Sequence, residues 1–180
     1  MLLSGIQKWE QRYRNGEKLR EEPAPLVVDF TRDLAPGWAL DLACGPGRHA
    51  LYLAARGWRV TAVDGAPTAI DLLRARAVPS SLTIDARRAD LEAGEFDFSI
   101  EAFDLILACL YLQRDLIPKM KRSLRSEGIV ILTALLGEAA TPTRVVPGEI
   151  RGLFQDWQVL HYREAQGVAE LVARKPTPGA

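Results

Sequence analysis

The stretch "WALDLACGPGRHALYLAARGWRVTAVD", residues 38–64, predicts a strand, a glycine-rich turn, a helix and a second strand. The apolar run "WALDLA" is the first strand, and Ala50 and Leu53 mark the inward face of the helix. Gly57 is a natural end for that helix, since glycine readily adopts the left-handed conformation found after a helix C-terminus. The second strand, "WRVTAVD", ends on Asp64. Two strands joined by a helix in this way favour a parallel sheet.

The rest of the chain repeats this alternation. The helix "APTAIDLLRARAV" leads to a third strand within "SLTIDARRAD", and apolar runs in "EAFDLILACL" and "IVILTALL" predict a fourth and a fifth strand. Between those two, "RDLIPKMKRSLRSEG" predicts a helix that ends at Gly128. The segments "WQVLHYRE" and "VAELVARK" predict a closing antiparallel pair. We therefore expect an α/β fold, a doubly wound sheet with right-handed crossovers and helices on both faces.

A further helix is predicted ahead of the sheet. Its first letters, "SGIQ", have the spacing of a capping box, and Ile6, Trp9 and Tyr13 mark one helical face. Because this helix precedes the sheet, residues 1–22 are a candidate lid that excludes water from a site. Packing of the helix alone would also explain Trp9 and Tyr13, and it is the favoured interpretation.

The composition is that of a single globular domain. The chain has 180 residues, 48% hydrophobic and 26% charged, so one core is expected over residues 1–180, with a frayed tail at 176–180. Lysine plus arginine equals aspartate plus glutamate at 23 each, which leaves no broad cationic field for nucleic acid or anionic membrane. No apolar run approaches the roughly 20 residues of a membrane helix. We expect a cytoplasmic monomer or weak homodimer whose partners include neither nucleic acid nor membrane.

Cysteine and histidine are too few and wrongly spaced for a dedicated metal site. Neither Cys44 nor Cys109 belongs to a C-x-x-C pattern, and the two histidines are His49 and His161. We therefore expect no bound metal. The two cysteines end strands that should be neighbours. We nevertheless favour the interpretation that both are small buried residues in a reducing compartment.

The glycine turn is the first candidate for a ligand site. It contains Gly45-x-Gly47-x-x-Ala50, an allowed form of the dinucleotide-binding fingerprint. Ligands of open α/β sheets bind beyond the carboxyl ends of the strands, where this turn is expected. Asp64 follows Gly45 by 19 residues, and a carboxylate there can accept both hydroxyls of a ribose. These features predict an adenosine-type ligand without choosing among cofactors.

Asp41 narrows that choice. It interrupts a short apolar strand, and a buried carboxylate is costly unless it is paired. A ligand cation or backbone N–H groups of the turn would compensate the charge, whereas the pyrophosphate of NAD would be repelled. Asp90 adds a polar group at the same rim, and with Leu91 it could hold an adenine. A turn cap is nearly as good an interpretation of Asp90.

The run "ALDLACGPGRHALYLAARGWRVTAVDGAPTAI" resembles motif I and the following acidic strand of class I S-adenosylmethionine (SAM)-dependent methyltransferases. The segments "REEPAPLV", "FDLILACLYLQRDLIPKMKRSLRSEGIVIL" and "VPGEIRGLFQDWQVLHYRE" are similar to the small TehB-like, tellurite-resistance type of methyltransferase. The resemblance extends from about Trp9 to Lys175. It implies a Rossmann-like seven-stranded sheet of order 3-2-1-4-5-7-6 with strand 7 antiparallel, and SAM as the cofactor with S-adenosylhomocysteine as its product.

The resemblance also implies roles for individual residues. Asp41 and the turn from Gly45 to Gly47 would face the methionine part of SAM, and Asp64 would take the ribose hydroxyls. The adenine would meet Asp90 and its neighbour, and the backbone at the end of the fourth strand would line the methionine side. The full expected cofactor-binding set is Asp41, Ala43, Cys44, Gly45, Gly47, Asp64, Gly65, Asp90, Leu91, Ala108 and Cys109. Cys44 stands where many members have glycine, and its small size should preserve binding.

The expected reaction is methyl transfer from SAM to a small-molecule acceptor. A soft anionic acceptor, such as a thiolate or a chalcogen oxyanion, needs no general base, so no catalytic residue is assigned. Candidate substrate contacts are Trp9, Tyr13, His49, Tyr111, Arg114 and Arg144. Arg114 could clamp an anion or be an exposed helix-start arginine, and His49 is better explained as a helix-surface residue than as a base.

Two other functions stay open from the residues alone. An NAD(P)-binding oxidoreductase would share the glycine turn, but one sheet of this length leaves little room for a nicotinamide site. A non-catalytic SAM-binding domain would keep the pocket without an acceptor site. Binding of SAM rather than NADH would distinguish a methyltransferase from the oxidoreductase. Formation of S-adenosylhomocysteine would distinguish it from the non-catalytic domain.

Overall fold

A computed structural model of the chain describes residues 4–17 and 20–177. Within these ranges the helices are α1 (Gly5–Arg14), α2 (Pro25–Thr31), α3 (Arg48–Ala55), α4 (Pro67–Ala77), α5 (Ile117–Ser123) and α6 (Glu149–Leu153). The strands are β1 (Trp38–Leu42), β2 (Arg59–Asp64), β3 (Ile84–Arg88), β4 (Phe103–Cys109), β5 (Leu124–Leu136), β6 (Arg144–Val145), β7 (Gln158–Ala165) and β8 (Val168–Arg174). Short 3₁₀ helices cover Val78–Ser80 and Arg114–Leu116.

The strands of the described residues form one mixed sheet of order β3-β2-β1-β4-β5-β8-β7. The pairs β1–β2, β2–β3 and β4–β5 are parallel, and β8 runs antiparallel to both β5 and β7. The predicted doubly wound α/β fold with a 3-2-1-4-5-7-6 order is therefore confirmed. The one addition is the two-residue strand β6, which pairs with β5 and shifts the numbering of the last two strands.

The chain divides into two compact units, Met1–Asp97 and Phe98–Ala180. The first contains α1 to α4 and β1 to β3, and the second contains the remaining elements. Residues 1–3 and 18–19 of the candidate lid, 1–22, lie outside the described residues. So do residues 178–180 of the predicted tail, 176–180.

Burial explains why the first unit folds as the sequence predicts. All of β1 after its first residue is buried, as is all of β2 after its first residue. Leu53 of α3 and Ile70 and Leu73 of α4 are also fully buried. A leucine or isoleucine that leaves water in this way contributes roughly 1.5–3 kcal/mol, so these three side chains help to hold the two helices on the sheet.

The glycine turn is closed by its own backbone and by a neighbouring helix. Gly47 donates its N–H to the carbonyl of Cys44 over 3.1 Å and has a φ of +82°, a value that favours glycine. A β-carbon at Gly47 would lie 2.1 Å from Cδ1 of Leu73 in α4. The start of α3 therefore needs glycine here both for conformation and for space.

In the second unit the predicted helix end at Gly128 is wrong. Helix α5 ends at Ser123, and β5 begins at once with the fully buried Leu124, which pairs with Phe103 of β4. Backbone bonds from Glu101 and Ala102 to the last helical carbonyls complete this junction. The sequence "LRSEG" is compatible with a helix, but pairing with β4 and burial of Leu124 stabilise a strand here.

The predicted capping box at the start of α1 is confirmed, since Ser4 and Gln7 form reciprocal bonds. Helix α2 begins with a proline, Pro25. Within the described ranges, no helix has the length and apolar character needed to span a membrane.

Replacing Gly47 with alanine should destabilise the protein. The left-handed conformation costs a residue with a β-carbon about 1–2 kcal/mol, and the clash with Leu73 adds to that cost. Chemical denaturation of the wild type and the Gly47→Ala variant measures the sum.

The matched control is Leu73→Ala, alone and combined with Gly47→Ala. Removing the leucine side chain should abolish the steric part, so the two changes should cost less together than the sum of each alone. Strict additivity would contradict the contact between Gly47 and Leu73.

Candidate functional site

Asp64 joins the loops that follow β1 and β2. Its two carboxylate oxygens accept hydrogen bonds from the backbone N–H of Gly45 and of Ala66, each over 2.8 Å. Burial raises the pKa of Asp64, and the two backbone donors offset part of that rise. Each oxygen keeps a further lone pair, so the carboxylate can still accept hydroxyl donors from a ligand.

Asp41 is the second acid of this site and the more deeply buried one, at 1% exposure. It accepts a bond from the backbone of Ala50 in α3, while its Oδ2 has no hydrogen-bond partner among the described residues. Burial, with the nearby Asp64 adding to it, raises the pKa of Asp41 to about 7, and Arg48 opposes the rise. A buried, incompletely satisfied carboxylate of this kind is stabilised by a ligand that brings a positive charge.

The other polar side chains of the turn are held in neutral forms. Burial and the nearby acids, Asp41 first, raise the pKa of the Cys44 thiol, which is free and lies 3.4 Å from the carbonyl of Gly45. His49 is only 3% exposed, so its interpretation as a helix-surface residue is wrong. Burial lowers the pKa of His49 to about 3, and its Nε2 lacks a partner within the described part of the chain. Neither group is a ready base at neutral pH.

Asp90 caps a turn after β3. Its Oδ1 accepts from the backbone N–H of Ala93 over 3.0 Å, and its own N–H donates to the Glu95 carboxylate over 2.8 Å. Leu91 beside it is buried. One carboxylate oxygen of Asp90 thus acts as a turn cap. Contact of Asp90 and Leu91 with an adenine stays a prediction.

Helix α1 lies over the loops that follow β1 and β2, and its inward face differs in part from the predicted one. Ile6 and Tyr13 face inward as expected, whereas Trp9 is 44% exposed, stacks on Tyr13 and carries Arg12 over its ring. The inward side chain between Ile6 and Tyr13 is Glu10, a residue that the sequence analysis did not single out. Glu10 could have been identified from the sequence by its i+4 spacing from Ile6, which places a carboxylate on the otherwise apolar face of the helix.

Two backbone positions of the cofactor set lie in the second unit, at the end of β4. Ala108 is buried and Cys109 half-buried. The next residue, Leu110, has a φ of +56° and donates its N–H to the carbonyl and the hydroxyl of Thr133. Tyr111 then donates its hydroxyl to Gln113 over 2.6 Å. Contact of Ala108, Cys109 or Tyr111 with a ligand stays a prediction.

The two arginines nominated as substrate contacts are engaged within the second unit. Arg114 binds the Glu149 carboxylate at 2.6 Å and the carbonyls of Thr141 and Arg144 at 2.7 and 2.9 Å. Arg144 donates to the carbonyl of Leu136 at 2.6 Å. These bonds hold the loop between β5 and α6, so the structure assigns both guanidinium groups a loop-holding role, and a substrate contact by either stays a prediction.

The described residues contain no group of three or more histidine, cysteine, aspartate or glutamate side chains arranged to hold a metal ion.

Comparison with known proteins places the chain in one family. The family model described as tellurite resistance protein TehB matches residues 10–174. A protein of Eikenella corrodens named hemagglutinin 1 is 30% identical over 155 residues, which cover 79% of this chain and 51% of that protein. The probable S-adenosyl-L-methionine-dependent methyltransferase TehB of Haemophilus influenzae is 24% identical, over 78% of this chain and 53% of its own length.

A solved structure agrees with the fold. The crystal structure of TehB from Haemophilus influenzae superposes with a TM-score of 0.77 at 24% identity, covering 92% of this chain and 67% of that one. The chain spans about half the length of the curated relatives it matches.

The raised pKa of Asp41 predicts a pH-dependent stability. The folded protein holds the Asp41 proton more tightly than the unfolded chain, whose aspartate titrates near 3.8, so the contribution of this group to stability is greatest below that pH. As the pH rises from about 4 to about 7, the free energy of unfolding should fall by about 4 kcal/mol from this group. Denaturant titrations across this range measure the slope.

Asp64 contributes in the same direction, so the comparison with Asp41→Asn isolates Asp41. The amide cannot ionise, and the variant should show a much smaller fall. Asp33→Asn changes an aspartate whose side chain is 92% exposed and should keep the wild-type slope. Equal slopes for Asp41→Asn and the wild type would contradict the assignment.

Proposed function

Because the chain belongs to the TehB family of class I SAM-dependent methyltransferases, we propose that it transfers a methyl group from SAM to a small-molecule acceptor. A cytoplasmic location and a monomeric or weakly dimeric state are part of the same proposal.

The observation that carries the proposal is the pair of buried acids. Asp41 and Asp64 lie on the adjacent strands β1 and β2. Burial raises the pKa of both carboxyl groups, and the charge of Asp64 adds to the rise for Asp41. SAM carries a sulfonium and an ammonium and has no phosphate, so its charge suits such a rim. The pyrophosphate of NAD would add two negative charges to it, which disfavours the oxidoreductase alternative.

The residues that would hold SAM follow from these contacts. Asp64 would accept the ribose hydroxyls with the lone pairs that Gly45 and Ala66 leave unused. Asp41, with its unpartnered Oδ2, would provide the counter-charge for the amino acid part. The turn from Gly45 to Gly47 would let the ligand approach the backbone.

When bound, SAM supplies a methyl group already activated by the sulfonium charge. The chain's own contribution is then placement of the acceptor and exclusion of water. Around the glycine turn, His49 is too weak a base, while burial and acidic neighbours hold Cys44 and Tyr13 protonated. This supports an acceptor that becomes a nucleophile by its own ionisation, and we propose a thiol or a chalcogen oxyanion.

Removing the Asp64 carboxylate should weaken SAM binding. Hydrogen bonds to a charged partner contribute about 1.5–3 kcal/mol, so Asp64→Ala should lower affinity by about ten- to a hundredfold. Calorimetry with SAM, S-adenosylhomocysteine and NADH measures this directly. Asp71→Ala, which removes an exposed aspartate of α4, is the matched control and should bind like the wild type.

Tight binding of NADH by the wild type with no response to SAM would overturn the proposed cofactor. Unchanged SAM affinity in Asp64→Ala would overturn the role of that carboxylate while leaving the cofactor in place.

The absence of a ready base around the turn predicts how the rate depends on pH. With a series of small thiols, kcat/KM measured as S-adenosylhomocysteine formation should rise with pH up to the pKa of each thiol. The inflection should therefore move with the acceptor. A single inflection shared by all thiols would identify an enzyme group as the base instead.

If no thiol is methylated, the same assay with selenite, tellurite and small phenols identifies the acceptor class. Binding of SAM without S-adenosylhomocysteine formation from any of them would favour the non-catalytic alternative.

A further inference from the structure

Helix α1 is attached to the candidate cofactor site at three points. Ile6 contacts the loop after β2, where a β-carbon at Gly65 would lie 2.5 Å from its Cδ1. Tyr13 covers the loop after β1, where a β-carbon at Gly45 would lie 3.0 Å from its hydroxyl. Between these two packing contacts, Glu10 makes the hydrogen-bonded attachment described next. The two loops are the ones that Asp64 ties together.

Glu10 caps the N-terminus of a second helix. Its Oε2 accepts from the backbone N–H of Thr68 over 3.0 Å, and its Oε1 accepts from the Thr68 hydroxyl over 2.7 Å. Helix α4 has no side-chain cap of its own, because alanine stands at its N-cap position. The Glu10 carboxylate therefore accepts from the Thr68 N–H and hydroxyl, two donors that α4 would otherwise leave to water. Arg14 holds the same carboxylate from the α1 side at 2.6 Å.

The rest of α1 is held weakly. No residue of the helix is fully buried, and its capping box and its remaining ion pair, Arg12 with Glu17, are local and exposed. A short helix without a buried apolar face gains little from packing. Among the described side-chain hydrogen bonds of α1, those between Glu10 and Thr68 are the ones that join the helix to an element distant in sequence.

Thr68 is also close in sequence to the ribose-binding candidate. Asp64 binds Ala66 N–H and Glu10 binds Thr68 N–H, so both acids hold the same turn from 64 to 68. Their carboxylates are near enough for Glu10 to raise the pKa of Asp64. Glu10 therefore binds the same short stretch of backbone as the ribose-binding candidate.

We propose that Glu10 is a positioning residue that fastens α1 over the cofactor site and so sets how long SAM stays bound. Tyr13 then forms part of the outer wall of the site, and SAM enters and leaves when the Glu10–Thr68 contact opens. The inference rests on the proposed function for its ligand, but the fastening of α1 is a property of the chain alone.

The test variant is Glu10→Gln, whose amide nitrogen cannot accept from Thr68. Hydrogen exchange of the α1 amides, read by mass spectrometry on peptides from residues 4–17, should become about tenfold faster without any ligand. Stopped-flow fluorescence should show SAM and S-adenosylhomocysteine leaving about tenfold faster. The KM for SAM should rise, while kcat at saturating SAM changes less than about twofold.

The matched control is Glu17→Gln, which removes the carboxylate that pairs with Arg12 just beyond α1 but does not bind Thr68. It should exchange and release ligand like the wild type. Thr68→Val is the second variant, since it removes only the hydroxyl donor and should give a smaller change in the same direction.

If Glu10→Gln and Thr68→Val both match the wild type in α1 exchange, the fastening role is overturned. If α1 exchange rises but the release of SAM does not, the link between α1 and the cofactor is overturned. If the wild type binds neither SAM nor S-adenosylhomocysteine, the proposed function fails, while the exchange data still decide whether Glu10 holds α1.

Discussion

The structure around the candidate site depends on one carboxylate that serves two loops. Asp64 accepts one backbone N–H from the loop after β1 and one from the loop after β2, so a single side chain sets the spacing of the turn and the start of α4. The bond to Gly45 holds the glycine turn next to the end of β2. Helix α1 lies over the same two loops through separate contacts of Ile6, Glu10 and Tyr13.

That arrangement places negative charge where the protein has little water to solvate it. Asp41 lies one strand away from Asp64, whose charge makes the ionisation of Asp41 less favourable. A protein that keeps two buried acids together gives up some stability for a site that attracts positive charge. Burial, with the charge of nearby acids adding to it, raises the pKa of the Cys44 thiol and the Tyr13 phenol, so neither is a ready base at neutral pH.

The sequence predicted the fold well because the strands carry strong local signals. The apolar runs of β1, β2, β4 and β5 are long enough and buried enough to identify strands without tertiary information. It failed at Leu124, where a helical pattern continues but pairing with Phe103 begins a strand. It also misjudged His49, because burial depends on what packs on α3 rather than on the residue itself.

By itself, the sequence determined the order of elements, the glycine turn and the acids at its rim, since these follow from periodicity and from spacing along the chain. Only the tertiary structure decided how those groups are used. Glu10 looks like one more charged residue of an exposed helix, and it becomes a cap for α4 because folding brings together residues 58 positions apart. Arg114 likewise looks like a free cation until the loop carbonyls close around it. Hydrogen-bond partners distant in sequence leave no local pattern, so their pairing belongs to the fold.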